Sequence, residues 1–103
     1  INVDTLDQFV TEKNITHLDF IKIDVEGFEY AVINGGKEAI QKHKPLLFIE
    51  LDDNNLKENN SSALALVSLL CSLGYTKFYR TDNMSALSTS TDFSHCHYDM
   101  VAR

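Results

Sequence analysis

The sequence predicts an α/β domain built around an open, mostly parallel sheet. Three observations carry this prediction. The stretch DFIKIDVEGFEYAVINGG, from Asp19 to Gly36, begins with the alternation of a strand and continues with the spacing of a helix. PLLFIEL, residues 45–51, is a continuous apolar run, as expected of a central parallel strand buried on both faces. Leu66, Leu69, Leu70 and Leu73 then recur at helical spacing and lead into a further strand-like run, YTKFYR.

Thr5 and Gln8 have the spacing of a capping box, and Leu6, Phe9 and Val10 share one helical face, which predicts a short helix over 6–13 ended by Asn14. Phe20 to Val25 is the first strand, with Ile21, Ile23 and Val25 on one face and Phe20, Lys22 and Asp24 on the other. Gly27 gives the chain freedom to turn. A helical stripe of Phe28, Val32, Gly35/Gly36, Ala39, Ile40 and His43 follows. Glycines inside a helix cost about 1 kcal/mol each relative to alanine, so Gly35 and Gly36 mark either a kink or a close backbone approach. Lys42, His43 and Lys44 suit a helix C-terminus, and Pro45 stops it.

After the strand at 45–51, DDNNLKENNSS reads as a polar loop, with Asn60, Ser61 or Ser62 capping the leucine helix and Gly74 closing it. YTKFYR is a third strand, TDNMSALSTSTDFS a Ser/Thr-rich connection, and HCHYDMVAR a last strand. No internal repeat or linker divides residues 1–103, which read as part of one domain.

Strand–helix–strand units with short connections imply parallel pairing, and two crossovers in one direction put both helices on the same face of the sheet. The apolar strand at 46–51 nevertheless demands cover on its second face, and the helix at 6–13 is too short to supply it. The packing thus predicts that an N-terminal half of the domain is missing from these residues. The competing expectation is a small two-layer domain that dimerises through its open face.

Composition narrows the function classes. Hydrophobic residues make up 44% and charged residues 23%, ordinary for a globular chain. The net charge of -6, without a Lys/Arg cluster, argues against a nucleic-acid surface. No run of about 18 apolar residues predicts a membrane span. Two cysteines make no disulfide framework; Cys71, within an apolar helical pattern, reads as a small buried hydrophobe, and a reducing, cytoplasmic setting is the simpler expectation.

Ligands of open α/β sheets bind beyond the carboxyl ends of the strands. Asp24 and Glu26 leave one such strand, and Glu50, Asp52 and Asp53 leave the next, which places up to five acids on one rim. Four of them also have a purely structural reading. Glu26 near a helix N-terminus gains about 0.3–1 kcal/mol from the helix dipole. Asp24 can cap that helix or pair with Lys22, and Asp52 and Asp53 read as a solvated loop. Clustered carboxylates with Asn54 are also of a kind to suit Mg²⁺, but no metal site is expected. In His95-Cys96-His97 the alternation of a strand puts Cys96 opposite the histidines, and no second Cys/His group has zinc spacing. His17 and His43 carry no signal beyond surface or helix-end roles.

VDTLDQF, DFIKIDVEGFEYAVINGG and KPLLFIEL together resemble the C-terminal half of FkbM-type S-adenosylmethionine-dependent methyltransferases. The positions that carry the resemblance are Val3, Thr5, Leu6 and Asp7; Lys22 to Gly27; Gly35 and Gly36; and Lys44, Pro45 and Glu50. It covers residues 3–51 well and 61–80, including SLGY, loosely; Gly36 stands where the family more often has Ala. The Gly-rich first strand-turn and the acid ending the second strand, which hold the cofactor in class I methyltransferases, are absent from these residues. The resemblance implies a partial Rossmann-like sheet whose last strand, 96–102, inserts antiparallel between the strands at 46–51 and 75–80.

The resemblance further implies S-adenosylmethionine as methyl donor and a hydroxyl on a sugar, glycan or natural-product-type small molecule as acceptor. An alcohol nucleophile must lose its proton as it attacks, so a rim carboxylate fits as base. Asp24 and Glu26 are the candidate catalytic residues, Asp24 also faces the cofactor's sulfonium, and Glu50 is the candidate for binding substrate hydroxyls. These residues alone are expected to be inactive. The alternative function is a non-catalytic α/β module that binds a partner through its open sheet face. A third is a different Rossmann-like enzyme whose acids do other work.

Overall fold

A computed structural model describes residues 5–103. Val3 of the sequence motif lies outside them. The element order is α1 (Leu6–Glu12), β1 (Phe20–Ile23), α2 (Glu29–Asn34), α3 (Lys37–His43), β2 (Leu46–Asp52), α4 (Asp53–Glu58), α5 (Ala63–Ser72), β3 (Phe78–Arg80), β4 (Ala86–Leu87) and β5 (His97–Ala102). The strands form one sheet in the order β1-β2-β5-β3-β4. β1 pairs with β2 in parallel, and the other three neighbouring pairs are antiparallel. The sheet is therefore mixed rather than mostly parallel. β5 does insert antiparallel between β2 and β3, and this insertion replaces the parallel contact those two strands would otherwise make.

The core lies between one face of the sheet and the helices. Ile23, Leu47, Ile49, Leu51, Met100, Ala102 and Phe78 meet Ile33 of α2, Ile40 of α3 and Leu66, Val67 and Leu70 of α5 in a single buried cluster. Burying each large aliphatic side chain of this set contributes roughly 1.5–3 kcal/mol. The opposite face is not covered in the same way. Burial along β2 alternates strictly, with Leu46 37% exposed and Phe48 half-buried; Phe20 beside them is 54% exposed. The expectation that 46–51 is buried on both faces does not hold among the described residues.

Several elements differ from the sequence prediction for identifiable reasons. β1 stops at Ile23, two residues short of the prediction, and the backbone turns at Glu26–Gly27. The helix expected from Phe28 to His43 is two helices, broken at Gly35–Gly36. The break lets α1 dock: Asp7 N–H donates to the Gly35 carbonyl (3.1 Å), and a Cβ on Gly36 would lie 2.6 Å from Leu6 Cδ2. Asp7 then caps α3 from outside, accepting from the N–H groups of Glu38 (3.1 Å) and Ala39 (2.8 Å). Phe28 is exposed at the N-cap of α2, and Glu29 rather than Phe28 is the buried residue there.

Residues 53–58, expected to be loop, form α4, capped by Asp52 and anchored by the buried Leu56. β4 arises inside the expected Ser/Thr-rich connection as the short return of a hairpin with β3, and β3 itself begins only at Phe78. Cys71 is exposed on α5, contrary to its reading as a buried hydrophobe; Leu70 and Leu73 take the inward positions around it. The capping box at Thr5 and Gln8, the Ser62 cap of α5 and the left-handed Gly74 after it are as the sequence predicts.

A candidate active site at the carboxyl edge of the sheet

The exit of β1 is a turn fixed from beneath. Glu26 and Gly27 have φ angles of 49° and 103°, and Phe28 N–H closes the turn on the Val25 carbonyl at 3.3 Å. Left-handed φ at two successive central residues is the pattern of a type I′ turn. A non-glycine residue in this region is costly and is held only where its surroundings over-determine it. Here the buried Glu29 supplies that restraint. Its carboxylate accepts from Val25 N–H and Gly27 N–H, each at 2.9 Å. From the other side the backbone of α4 approaches so closely that a Cβ on Gly27 would lie 2.6 Å from the Asn55 carbonyl oxygen. The position of Asp24 and Glu26 thus follows from Glu29, Gly27 and α4 together.

Neither structural role foreseen for Asp24 occurs. No side chain caps α2, and the Lys22 ammonium lies over the Phe48 ring, 5.9 Å from its centroid, without a salt bridge to Asp24. Asp24 is exposed and lines a depression of about 170 Å³ with Lys22, Ile23, Phe48, Glu50 and Asp99. Asp24 and Glu50, assigned from sequence to neighbouring strand ends, therefore meet in one place. Glu26 is exposed on the turn and does not line the depression.

Register explains the rest of the rim. Glu50 pairs directly across with Asp99, and Asp52 with His97. Like charges opposite one another in a sheet repel. His97, two residues before Asp99 and on the same face, stands between the acids: Nε2 is 3.2 Å from Glu50 Oε1 and Nδ1 is 3.8 Å from Asp52 Oδ2. Asp52 is itself held by its cap bond from Asn55 N–H (3.1 Å).

Asp53 leaves the rim. It is buried, accepts from Ala63 N–H at the start of α5 (2.9 Å) and pairs with Lys57 (3.0 Å). Burial by itself raises its pKa, but the Ala63 hydrogen bond and the Lys57 ammonium outweigh that effect and hold the carboxyl below its usual range. The expectation of a solvated Asp53 is thus corrected: it joins α4 to α5.

Cys96 lies buried between two exposed histidines, but strand alternation does not place His95: β5 begins only at His97, and His95 sits in the turn before it with φ 56°. Cys96 is buried with its thiol pushed up by burial, His97 is exposed, and His95 Nδ1 lies 3.2 Å from Asn54 Oδ1. Among the described residues no three His, Cys, Asp or Glu side chains are grouped so as to hold a metal ion, and no helix is long and apolar enough to cross a membrane. Sequence reasoning missed Glu29, Asp99 and His97. Glu29 was signalled only by its place two residues after Gly27, and the other two depend on a β2–β5 register that no local pattern encodes.

Comparison with known proteins places the chain in a family. The Methyltransferase FkbM domain matches residues 1–77. The 2-O-methyltransferase NoeI of Sinorhizobium fredii (strain NBRC 101917 / NGR234) is 36% identical over 72 residues, covering 68% of this chain and 29% of that protein. No solved structure matches. With three quarters of its residues matched, the chain belongs to the FkbM methyltransferase domain family. It spans less than a third of the length of the curated relative it matches.

Proposed function

We propose that this chain forms the acceptor side of an S-adenosylmethionine-dependent O-methyltransferase, completed by further segments that cover the open sheet face and hold the rest of the cofactor. The observation that carries the reading is the convergence of Asp24 and Glu50 in one depression at the carboxyl edge of the sheet of an FkbM-family chain. The curated relative's name, a 2-O-methyltransferase, supports a hydroxyl acceptor.

The residues present fit one end of the donor. Asp24, Glu50 and Asp99 set three carboxylates against the single ammonium of Lys22 around the depression, a field that favours a cation. When bound, S-adenosylmethionine supplies a methyl group activated by its sulfonium charge. Asp24 faces that charge and accepts the proton of the acceptor hydroxyl. Glu26, displayed on its restrained turn, orients the acceptor, and Glu50 accepts hydrogen bonds from its hydroxyls. Most of the work is positioning and electrostatics, with base catalysis contributing about 10²–10⁴-fold.

Calorimetric titration tests the division of labour. The full-length protein is expected to bind S-adenosylmethionine, and the 103-residue chain alone to show no micromolar affinity. Micromolar binding by the isolated chain would contradict the proposal that the cofactor is held mainly by other segments.

A second reading, a non-catalytic module binding through its sheet face, is favoured by the exposure of Phe20 and Leu46 beside the half-buried Phe48. A stable dimer of the isolated chain would support it.

A further inference from the structure

We propose that His97 is a positioning residue for the same reaction, taking the acceptor proton from the rim carboxylates and passing it to solvent. This inference rests on the function proposed above. His97 lies beyond residues 1–77, so the family match does not assign it.

His97 touches one cavity through Glu50 and lines another. Glu50, 3.2 Å from His97 Nε2, lines the small depression with Asp24. His97 itself lines a larger cavity of about 500 Å³, formed with Arg80, Ser85, Thr91, Asp92 and His95 around the β3–β4 hairpin and the entry to β5. The lining of that cavity mixes these polar groups with the apolar Ala86 and Leu87. The groups facing the imidazole are Glu50 and Asp52 of β2 and, on its own strand, Asp99 two residues along. Nε2 is within hydrogen-bond distance of Glu50, while Asp52, fixed by its cap bond to α4, lies beyond that distance, 3.8 Å from Nδ1. The ring remains 63% exposed, which gives the proton an exit.

The acceptor O–H bond breaks as its oxygen bonds to the transferred methyl carbon. The bond from that carbon to the donor sulfur breaks with its electron pair left on sulfur. The hydroxyl proton passes through the carboxylates to His97 Nε2 and then to water.

The test uses the full-length protein with a panel of methyl hexopyranosides as acceptors. His97→Gln is expected to lower kcat about 10–100-fold with KM for the acceptor changed less than twofold. Added imidazole is expected to restore part of the rate to His97→Gly. In the cofactor-free protein, adding the glycoside is expected to shift the His97 imidazole NMR signals, and the Glu50→Gln variant to lose that shift. His17→Gln serves as the unaffected control. If the wild type transfers methyl groups and His97→Gln retains its kcat within twofold, this inference is overturned and the proposed function stands. If the wild type transfers to no glycoside and shows no His97 shift, both fall.

Discussion

At the residue scale, the acids of this chain divide by what they touch. Glu29 faces inward and binds two backbone donors of the turn after β1, so it acts on the site through the backbone. Glu29→Gln replaces one acceptor by a second donor against those N–H groups. We expect a loss of about 1–3 kcal/mol, read as a lower urea midpoint at unchanged m-value. Asp53 is the other buried acid, and its depressed pKa makes a pH prediction. The stabilisation from a carboxyl whose folded pKa lies below its unfolded value of about 3.9 is fully present above that value and disappears as pH falls through the folded one. Asp53→Asn should therefore be less stable than wild type at pH 7, and the gap should close as the pH drops below about 4. A gap that stays constant across that range would mean the contribution of Asp53 is not one of charge.

At the scale of elements, most boundaries were legible where a local rule applies. The Thr5–Gln8 box, the Ser62 cap and the Gly74 stop depend on residues within one turn of each other, and the structure keeps all three. The break between α2 and α3 was half legible: Gly35 and Gly36 announced either a kink or a close approach, and both occur. What could not be read was the partner, since Asp7 caps α3 from 31 and 32 residues away. α4 was missed because its composition is polar and its stability comes from Leu56 reaching the core. Gly27 joins the two kinds of information. It turns the chain after β1, as expected, and it also admits α4 against the turn. Gly27→Ala should cost about 1–3 kcal/mol through its φ of 103° and the Asn55 contact, and should displace α4. Thermal unfolding with amide exchange across residues 53–58 checks this; full protection there in the variant would contradict it.

At the scale of the whole molecule, the two faces of the sheet are unequal. One carries the core beneath α2, α3 and α5; the other presents Phe20, Leu46 and Phe48 around a set of rim acids. The apolar run at 46–51 was legible as a strand, but its burial was not, because cover on the second face is a property of what packs there. The placement of Asp24 and Glu50 on one edge was legible from strand order alone, whereas Asp99 and His97 needed the antiparallel insertion of β5. Under the proposed function, other segments of the full-length protein cover the open face. Phe48→Ala in that protein should then cost about 3 kcal/mol or more, as in a closed core. A cost below about 1 kcal/mol would leave the face open and favour the partner-binding reading.

The central claim is that the acids after β1 belong to a methyl-transfer site. Its most direct test is the turnover of Asp24→Asn and Glu26→Gln in the full-length protein, measured beside their unfolding free energies. Both side chains are exposed and neither makes a hydrogen bond or salt bridge among the described residues, so stabilities within about 0.5 kcal/mol of wild type are expected. It predicts turnover lowered about 100-fold or more by Asp24→Asn, and to a smaller extent by Glu26→Gln. Unchanged turnover in both variants would contradict it.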